Sequence, residues 1–204
     1  MSTATRTIPP TSPAPADLYR FSVDQYDRMV RDGTLGEDDP VELLDGMVVR
    51  KMPRGPRHVA ATKACLRLLR GLLKAGWHAA KEDPVRFPDF DEPEPDVAAI
   101  RGEEAAYADH HPGPADIALV VEVADATLIR DRTVKLRTYA TAGIPTYWIV
   151  NLKDDQVEVY SDPDRDAGAY RSRVDYRPGQ DIPVIIDGRE VGRIAVAELL
   201  PPRP

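Results

Sequence analysis

Glu122 stands inside the run Ile117-Ala118-Leu119-Val120-Val121-Glu122-Val123-Ala124. Apolar residues rich in Val and Ile read as a strand buried on both faces. An ionised carboxylate there is costly unless a cation, a metal or a set of hydrogen-bond donors compensates its desolvation. A second acid, Asp96, follows Pro95 and opens the short apolar stretch Val97-Ala98-Ala99-Ile100. Carboxylates near the ends of neighbouring strands can face one point, and hard oxygen donors there suit Mg²⁺ or Mn²⁺. The pair by itself is a weak signal, because acids are common and Asp after Pro is a frequent turn element. Lys135 strengthens it. Asp131 and Lys135 are spaced to share one helix face, and the plain reading is a solvated ion pair. The functional reading has Lys135 reach back over the strand end toward Glu122, with Tyr139 packing beside the lysine stem.

The elements that must position these side chains follow from the pattern around them. Ser22 is placed to cap a short helix through about Asp32, and Gly33 stops it. Val41-Glu42-Leu43-Leu44, Asp45-Gly46 and Met47-Val48-Val49 read as a tight hairpin. Ala61, Cys65, Leu68, Leu69, Leu72 and Leu73 recur at helical spacing, which predicts a helix from about His58 to Ala75. Trp77 to Phe87 reads as extended, residues 88–95 as an acidic, Pro-rich loop, and Val97–Ile100 as a short strand. After the buried run, Thr127 or Asp125 is placed to cap a helix from about Leu128 to Ala142, ended by Gly143 and Pro145. Tyr147–Val150 is the next strand, Val157–Tyr160 its hairpin partner, and short strands alternate with polar turns to about Leu200. The order predicts an α/β fold with a mixed sheet, and 117–150 is a strand–helix–strand crossover.

The chain has 204 residues and a formal net charge of −7. That balance weighs against a protein that coats DNA nonspecifically, but not against an enzyme that meets phosphates through metal ions. Asp89, Asp91, Glu92, Glu94 and Asp96 cluster the acidity. The single cysteine, Cys65, excludes an internal disulfide and a cysteine-based zinc site. No apolar stretch approaches the roughly 20 residues that span a bilayer, and residues 1–16 lack a secretory h-region. The expectations are a cytoplasmic location, no membrane contact, a disordered tail at 1–16 and a short C-terminal tail at 201–204.

Residues 93–160 resemble the Uma-two family of restriction-endonuclease-like proteins, within the PD-(D/E)XK nuclease superfamily. The matching stretches are Pro95-Asp96-Val97, Ala115 through Val123, Asp131 to Lys135, Tyr139-Ala140, Gly143 through Val150 and Val157–Tyr160. Val41–Gly46 and His58 resemble the family's opening block, so the likeness spans roughly residues 20–200. It implies one nuclease-like domain over 17–200, with a mixed β-sheet flanked by helices, an N-terminal helix and hairpin, and acids at the forked end of the sheet. It also implies roles: Asp96 and Glu122 as metal ligands, the backbone carbonyl of Val123 as a further ligand, and Glu42 as an accessory acid. The superfamily's lysine normally sits two residues after the acid, on the same strand face. Ala124 occupies that position here, and Lys135 fits the family's alternative on the following helix. Two stretches depart from the family pattern, Ala124-Asp125-Ala126-Thr127 after the acid and the basic Arg54-Gly55-Pro56-Arg57 before His58, and both bear on the mouth of the site.

The function implied is Mg²⁺- or Mn²⁺-dependent hydrolysis of DNA phosphodiesters, with Lys135 orienting water or offsetting charge on phosphorus. Glu122→Ala and Lys135→Ala are then expected to abolish cleavage with the fold intact. A homodimer follows from function alone, since cutting two strands favours two-fold symmetry. The alternative is a catalytically weak or inactive nuclease-fold module that binds nucleic acid or a protein partner. A sugar- or nucleotide-processing hydrolase lacks a phosphate loop or a nucleophile–base spacing.

Other residues divide between site and scaffold. His58 is either a phosphate or active-site contact or a polar residue at the helix start. Glu42 is either a site acid or a solvent-facing strand residue. His110-His111 lacks a third spaced ligand for zinc, Cys65 reads as core, and Tyr147 and Trp148 read as sheet packing. Arg130, Arg132 and Arg137 form the best phosphate-tracking patch, with a solvated helix face as the plain alternative.

Overall fold

The computed structural model describes residues 18–36 and 38–203, so the expected tail at 1–16 lies outside the described residues. Helix α1 (Val23–Arg31) starts at a reciprocal capping box between Ser22 and Gln25, which satisfies two of its free N-terminal N–H groups. Strands β1 (Val41–Leu44) and β2 (Met47–Arg50) pair antiparallel. Asp45 and Gly46 both take positive φ, 50° and 73°, the turn that Asp-Gly accommodates at least cost. Helix α2 (Pro56–Leu72) begins with Pro56 in its first turn, where the missing N–H has no intrahelical partner to lose.

The main sheet has six strands in the order β3 (Trp77–Ala80), β4 (Val97–Arg101), β5 (Ile117–Ala124), β6 (Thr146–Asn151), β7 (Gln156–Asp164) and β8 (Ala169–Tyr176). All neighbours are antiparallel except β5 and β6. That one parallel pair requires a crossover, which residues 128–142 supply: α3 (Leu128–Arg130), a π-helical turn (Asp131–Lys135) and α4 (Leu136–Ala142). Gly143 ends α4 in the left-handed region at φ 81°. A separate hairpin, β9 (Asp181–Ile186) and β10 (Arg189–Ala195), leads into α5 (Val196–Leu199).

The two faces of the sheet bury different things. Ala61, Cys65 and Leu69 of α2 pack with Val121, Val123, Trp148 and the β9–β10 hairpin on one face. Val120, Ala124, Tyr147 and Ile149 meet Leu128 and Tyr139 of the crossover on the other. Since side chains alternate along a strand, Glu122 belongs with Val120 and Ala124, under the crossover helix. Extended structure from Trp77 stops at Ala80, short of Phe87, because Pro84 and Pro88 cannot donate to a ladder. The expected mixed α/β architecture, with an N-terminal helix and hairpin and a helix-flanked mixed sheet, is the one observed. At the other end, Pro201 accepts from Arg57 and Arg203 bonds Asp155 and the Lys153 carbonyl.

Candidate functional site

Glu122 is 4% exposed, and its partners are both on the crossover. Lys135 Nζ donates to Glu122 Oε1 at 2.8 Å, and the Tyr139 hydroxyl donates to the same oxygen at 2.6 Å. Lys135 also lies 3.2 Å from Glu42 Oε2, so one buried ammonium bridges two buried carboxylates from β1 and β5. Tyr139 therefore acts through its hydroxyl on Glu122, whereas its spacing suggested packing against the lysine stem.

Asp96 sits where β4 begins. Continuing the β4–β5 register beyond Val97↔Val121 would set Pro95 opposite Val123, and Pro95 has no N–H to give. The proline thus leaves the Val123 carbonyl without a ladder donor from β4; the Pro95 carbonyl accepts from the Glu82 N–H, and the Val123 N–H donates to Asp96 Oδ2 at 2.8 Å. His58, in the first turn of α2, places Nε2 3.2 Å from the same Asp96 oxygen, and Arg54 Nε lies 3.9 Å from the other. His58 thus joins the site by contact with Asp96.

The expected ion pair between Asp131 and Lys135 does not form. The π-helical turn widens the helix there, a geometry that recurs at functional sites. Asp131 accepts from the Thr127 hydroxyl at 2.5 Å, and its backbone carbonyl accepts from the Tyr147 hydroxyl at 3.1 Å. Asp131 lines the same cleft as Glu42, Asp96, Glu122 and Lys135, a cavity of about 80 Å³ with room for several waters. Glu42, Asp96, Glu122 and Asp131 thus share a small space around the Lys135 ammonium, and Glu94 and Asp125 line the same cleft. Burial pushes Glu122 up to about 8, against the pull of Lys135, and Asp96, Asp131 and Glu42 push the same way. Burial likewise lifts Asp131 to about 6. Burial opposes the charge on Lys135, but the surrounding carboxylates outweigh it and hold the ammonium above its usual range. Burial also raises Asp96, yet His58, the Val123 N–H and Lys135 outweigh it and hold that carboxyl low.

Glu42 Oε2 accepts from the Glu94 N–H at 3.2 Å, while its Oε1 is buried without a partner. A free buried oxygen, an excess of carboxylates and the Val123 carbonyl are hard donors that suit Mg²⁺, which binds through one or two carboxylates and completes its shell with water and phosphate. Among the described residues, however, no three His, Cys, Asp or Glu side chains converge on one metal-binding position. The chemistry of the donors fits a hard cation; a preassembled ligand cluster is absent among the described residues.

Two features were hidden in the sequence. Glu158, within the stretch expected only as a hairpin partner strand, is fully buried and bonded by Arg132, Asn151 and the Tyr160 hydroxyl. The register sets Glu122, Ile149 and Glu158 in one row, so the two buried glutamates flank a single β6 residue. The readable signal was the apolar centre of β6, Tyr147-Trp148-Ile149-Val150: an apolar neighbouring strand means that the row is covered. Asp131 was legible as an acid but not as part of the cleft. His110 bonds only its neighbour Asp109 and stands outside the cleft.

The comparisons place the family and the fold. A family model described as "Uma2: Putative restriction endonuclease" matches residues 23–191. A crystal structure from Anabaena variabilis, a "putative nuclease belonging to DUF820", superposes with a TM-score of 0.66 at 18% identity. The match covers 88% of this chain and 97% of that one, and at that identity it speaks for the fold. A search of the curated proteins finds no match. The family match spans the hairpin, the buried strand and the crossover that together build the cleft, and the chain belongs to the Uma2 family.

Proposed function

We propose that the cleft is a nucleic-acid site of the PD-(D/E)XK type, in which a divalent cation supports hydrolysis of DNA phosphodiesters. The observation that carries this reading is the buried charge cluster: Asp96 and Glu122 beside the Val123 carbonyl, with Lys135 holding Glu122 at 2.8 Å. In this reading Asp96, Glu122 and the Val123 carbonyl hold Mg²⁺ or Mn²⁺, which would polarise a phosphate oxygen and lower the pKa of a bound water. Lys135 offsets charge on the phosphoryl group and keeps Glu122 in place. Glu42 anchors the lysine from its second side, and His58 holds the Asp96 carboxylate.

A second reading has specific support: the chain is a nuclease-fold module that binds nucleic acid or a protein partner and cuts weakly or not at all. Favouring it, no three metal-type ligands converge among the described residues, and Lys135 already occupies the space between Glu122 and Glu42. As the side chains stand, this reading matches the arrangement more directly than active cleavage does. Incubation with supercoiled plasmid and Mg²⁺ or Mn²⁺ separates the two. Nicking or linearisation by the wild type and none by Glu122→Gln supports the nuclease; an intact plasmid under both metals, with the plasmid retained by the protein, supports the binding module.

A further inference from the structure

The sequence offers three neighbouring arginines on the crossover as a phosphate-tracking patch, and the structure separates them. Arg132 is spent on Glu158, with Nε at 3.0 Å from one carboxylate oxygen and 3.2 Å from the other. Arg137 is exposed and lines a different depression, near Thr138 and Phe90. Arg130 alone lines the cleft with Asp96, Glu122 and Lys135.

Its bonding is incomplete. Arg130 Nη1 donates to the Arg50 carbonyl at 3.0 Å, which ties the crossover to the β1–β2 hairpin across the mouth of the cleft. Its Nε–H is buried without an acceptor, and no carboxylate lies within ion-pair distance among the described residues. The other cations at the mouth are already matched: Lys51 pairs with Glu94, and Arg54 with Glu82, each at 2.5 Å. A buried N–H is normally satisfied, and Arg130 is a cleft-lining guanidinium whose bonding is left incomplete. A guanidinium fixed by one bond, with free donors on its remaining edge, matches a tetrahedral phosphate oxygen pair.

We propose that Arg130 is the phosphate anchor of the cleft: it binds a backbone phosphate of a nucleic-acid strand that enters between the hairpin and the crossover. The inference rests on the nucleic-acid reading of the site. It gives this acidic chain a local cationic contact where the strand must pass, without a broad basic face.

The test is fluorescence anisotropy with a labelled 20-nucleotide DNA strand and the corresponding duplex, in Ca²⁺ buffer over a range of salt. Wild type is compared with Arg130→Ala, Arg130→Gln and Arg137→Ala, and thermal melting is run on each. The expected result is at least about tenfold weaker binding for both Arg130 variants, a log K against log salt slope shallower by about one, and wild-type behaviour for Arg137→Ala. Arg130→Gln keeps a donor for the Arg50 carbonyl, so a variant that melts with the wild type yet binds weakly separates phosphate contact from support of the fold. If the wild type binds and the Arg130 variants bind equally well with the same slope, the anchor is overturned and the nucleic-acid reading survives. If the wild type binds neither DNA, the nucleic-acid reading falls and the anchor falls with it.

Discussion

Lys135 and Glu122 share a buried place in which burial drives the carboxyl toward its neutral form while the surrounding acids keep the lysine charged. The lysine is 4% exposed and faces Glu122 and Glu42, so truncating it strands two carboxylates in the core. The sequence suggested that Lys135→Ala would spare the fold; burial argues otherwise. Lys135→Met is expected to lose about 3 kcal/mol in urea denaturation, the usual cost of breaking a buried pair from one side. The double change Lys135→Met, Glu122→Gln is expected to recover part of that loss, which a double-mutant cycle would measure. Glu122→Gln is therefore the cleaner probe of function, because the amide oxygen still accepts from Tyr139. Its pH dependence has a definite sign. Glu122 titrates near 4.5 when unfolded and about 8 when folded, so the folded state holds the extra proton between those values. Wild-type stability relative to Glu122→Gln should be greatest below about pH 4.5 and decline as pH rises through about 8. A flat difference between pH 5 and 8 would contradict a carboxyl whose burial outweighs the pull of Lys135. This carboxylate was legible from its apolar neighbours alone; its hydroxyl partner was not, because packing and hydrogen bonding by Tyr139 leave the same helical spacing.

The crossover is the element that sequence reading captured in extent and missed in geometry. Thr127, Gly143 and the apolar periodicity marked its ends. Nothing in Asp-Arg-Thr-Val-Lys distinguishes a π-helical turn from an α-helical one, because side-chain propensities are the same for both and the extra residue is imposed by tertiary contacts. Those contacts are visible: the Tyr147 hydroxyl holds the Asp131 carbonyl from beneath, and Glu158 clamps Arg132 from β7. Glu158 is the deeper support. Burial raises its pKa, but Arg132, Asn151 and Tyr160 outweigh it and hold the carboxyl at about 2. With an unfolded value near 4.5, its contribution is present above that pH and disappears as pH falls through about 2. Glu158→Gln should cost about 3 kcal/mol at pH 7, since the substitution removes the carboxylate whose charge-assisted bonds to Arg132, Asn151 and Tyr160 hold its pKa down to about 2. The difference from wild type should shrink toward zero in denaturation curves taken near pH 2. Equal stability of the two proteins at pH 7 would show that the clamp holds nothing.

Across the molecule, charge and fold point to a site that depends on local arrangement. The net charge is −7, and six carboxylates line one cleft, so an approaching phosphate would be repelled without a cation between them. The fold was readable because its signals were local and mutually consistent: an Asp-Gly turn, one long amphipathic helix, and a buried strand followed by a crossover and a second buried strand. That Glu42, Asp96 and Glu122 line one cleft was legible only through family resemblance, because three elements far apart in sequence meet only in the assembled fold. Among the described residues no helix is long and apolar enough to cross a membrane. If the cleft takes a divalent ion, saturating Mn²⁺ should stabilise the whole protein, by about 2.7 kcal/mol at a hundredfold excess over Kd, and raise its melting temperature. Calorimetric titration of Mn²⁺ into the wild type and into Glu122→Gln tests the central claim most directly. The account predicts a saturable isotherm for the wild type and its loss in Glu122→Gln; identical isotherms, or no binding by the wild type, would contradict it.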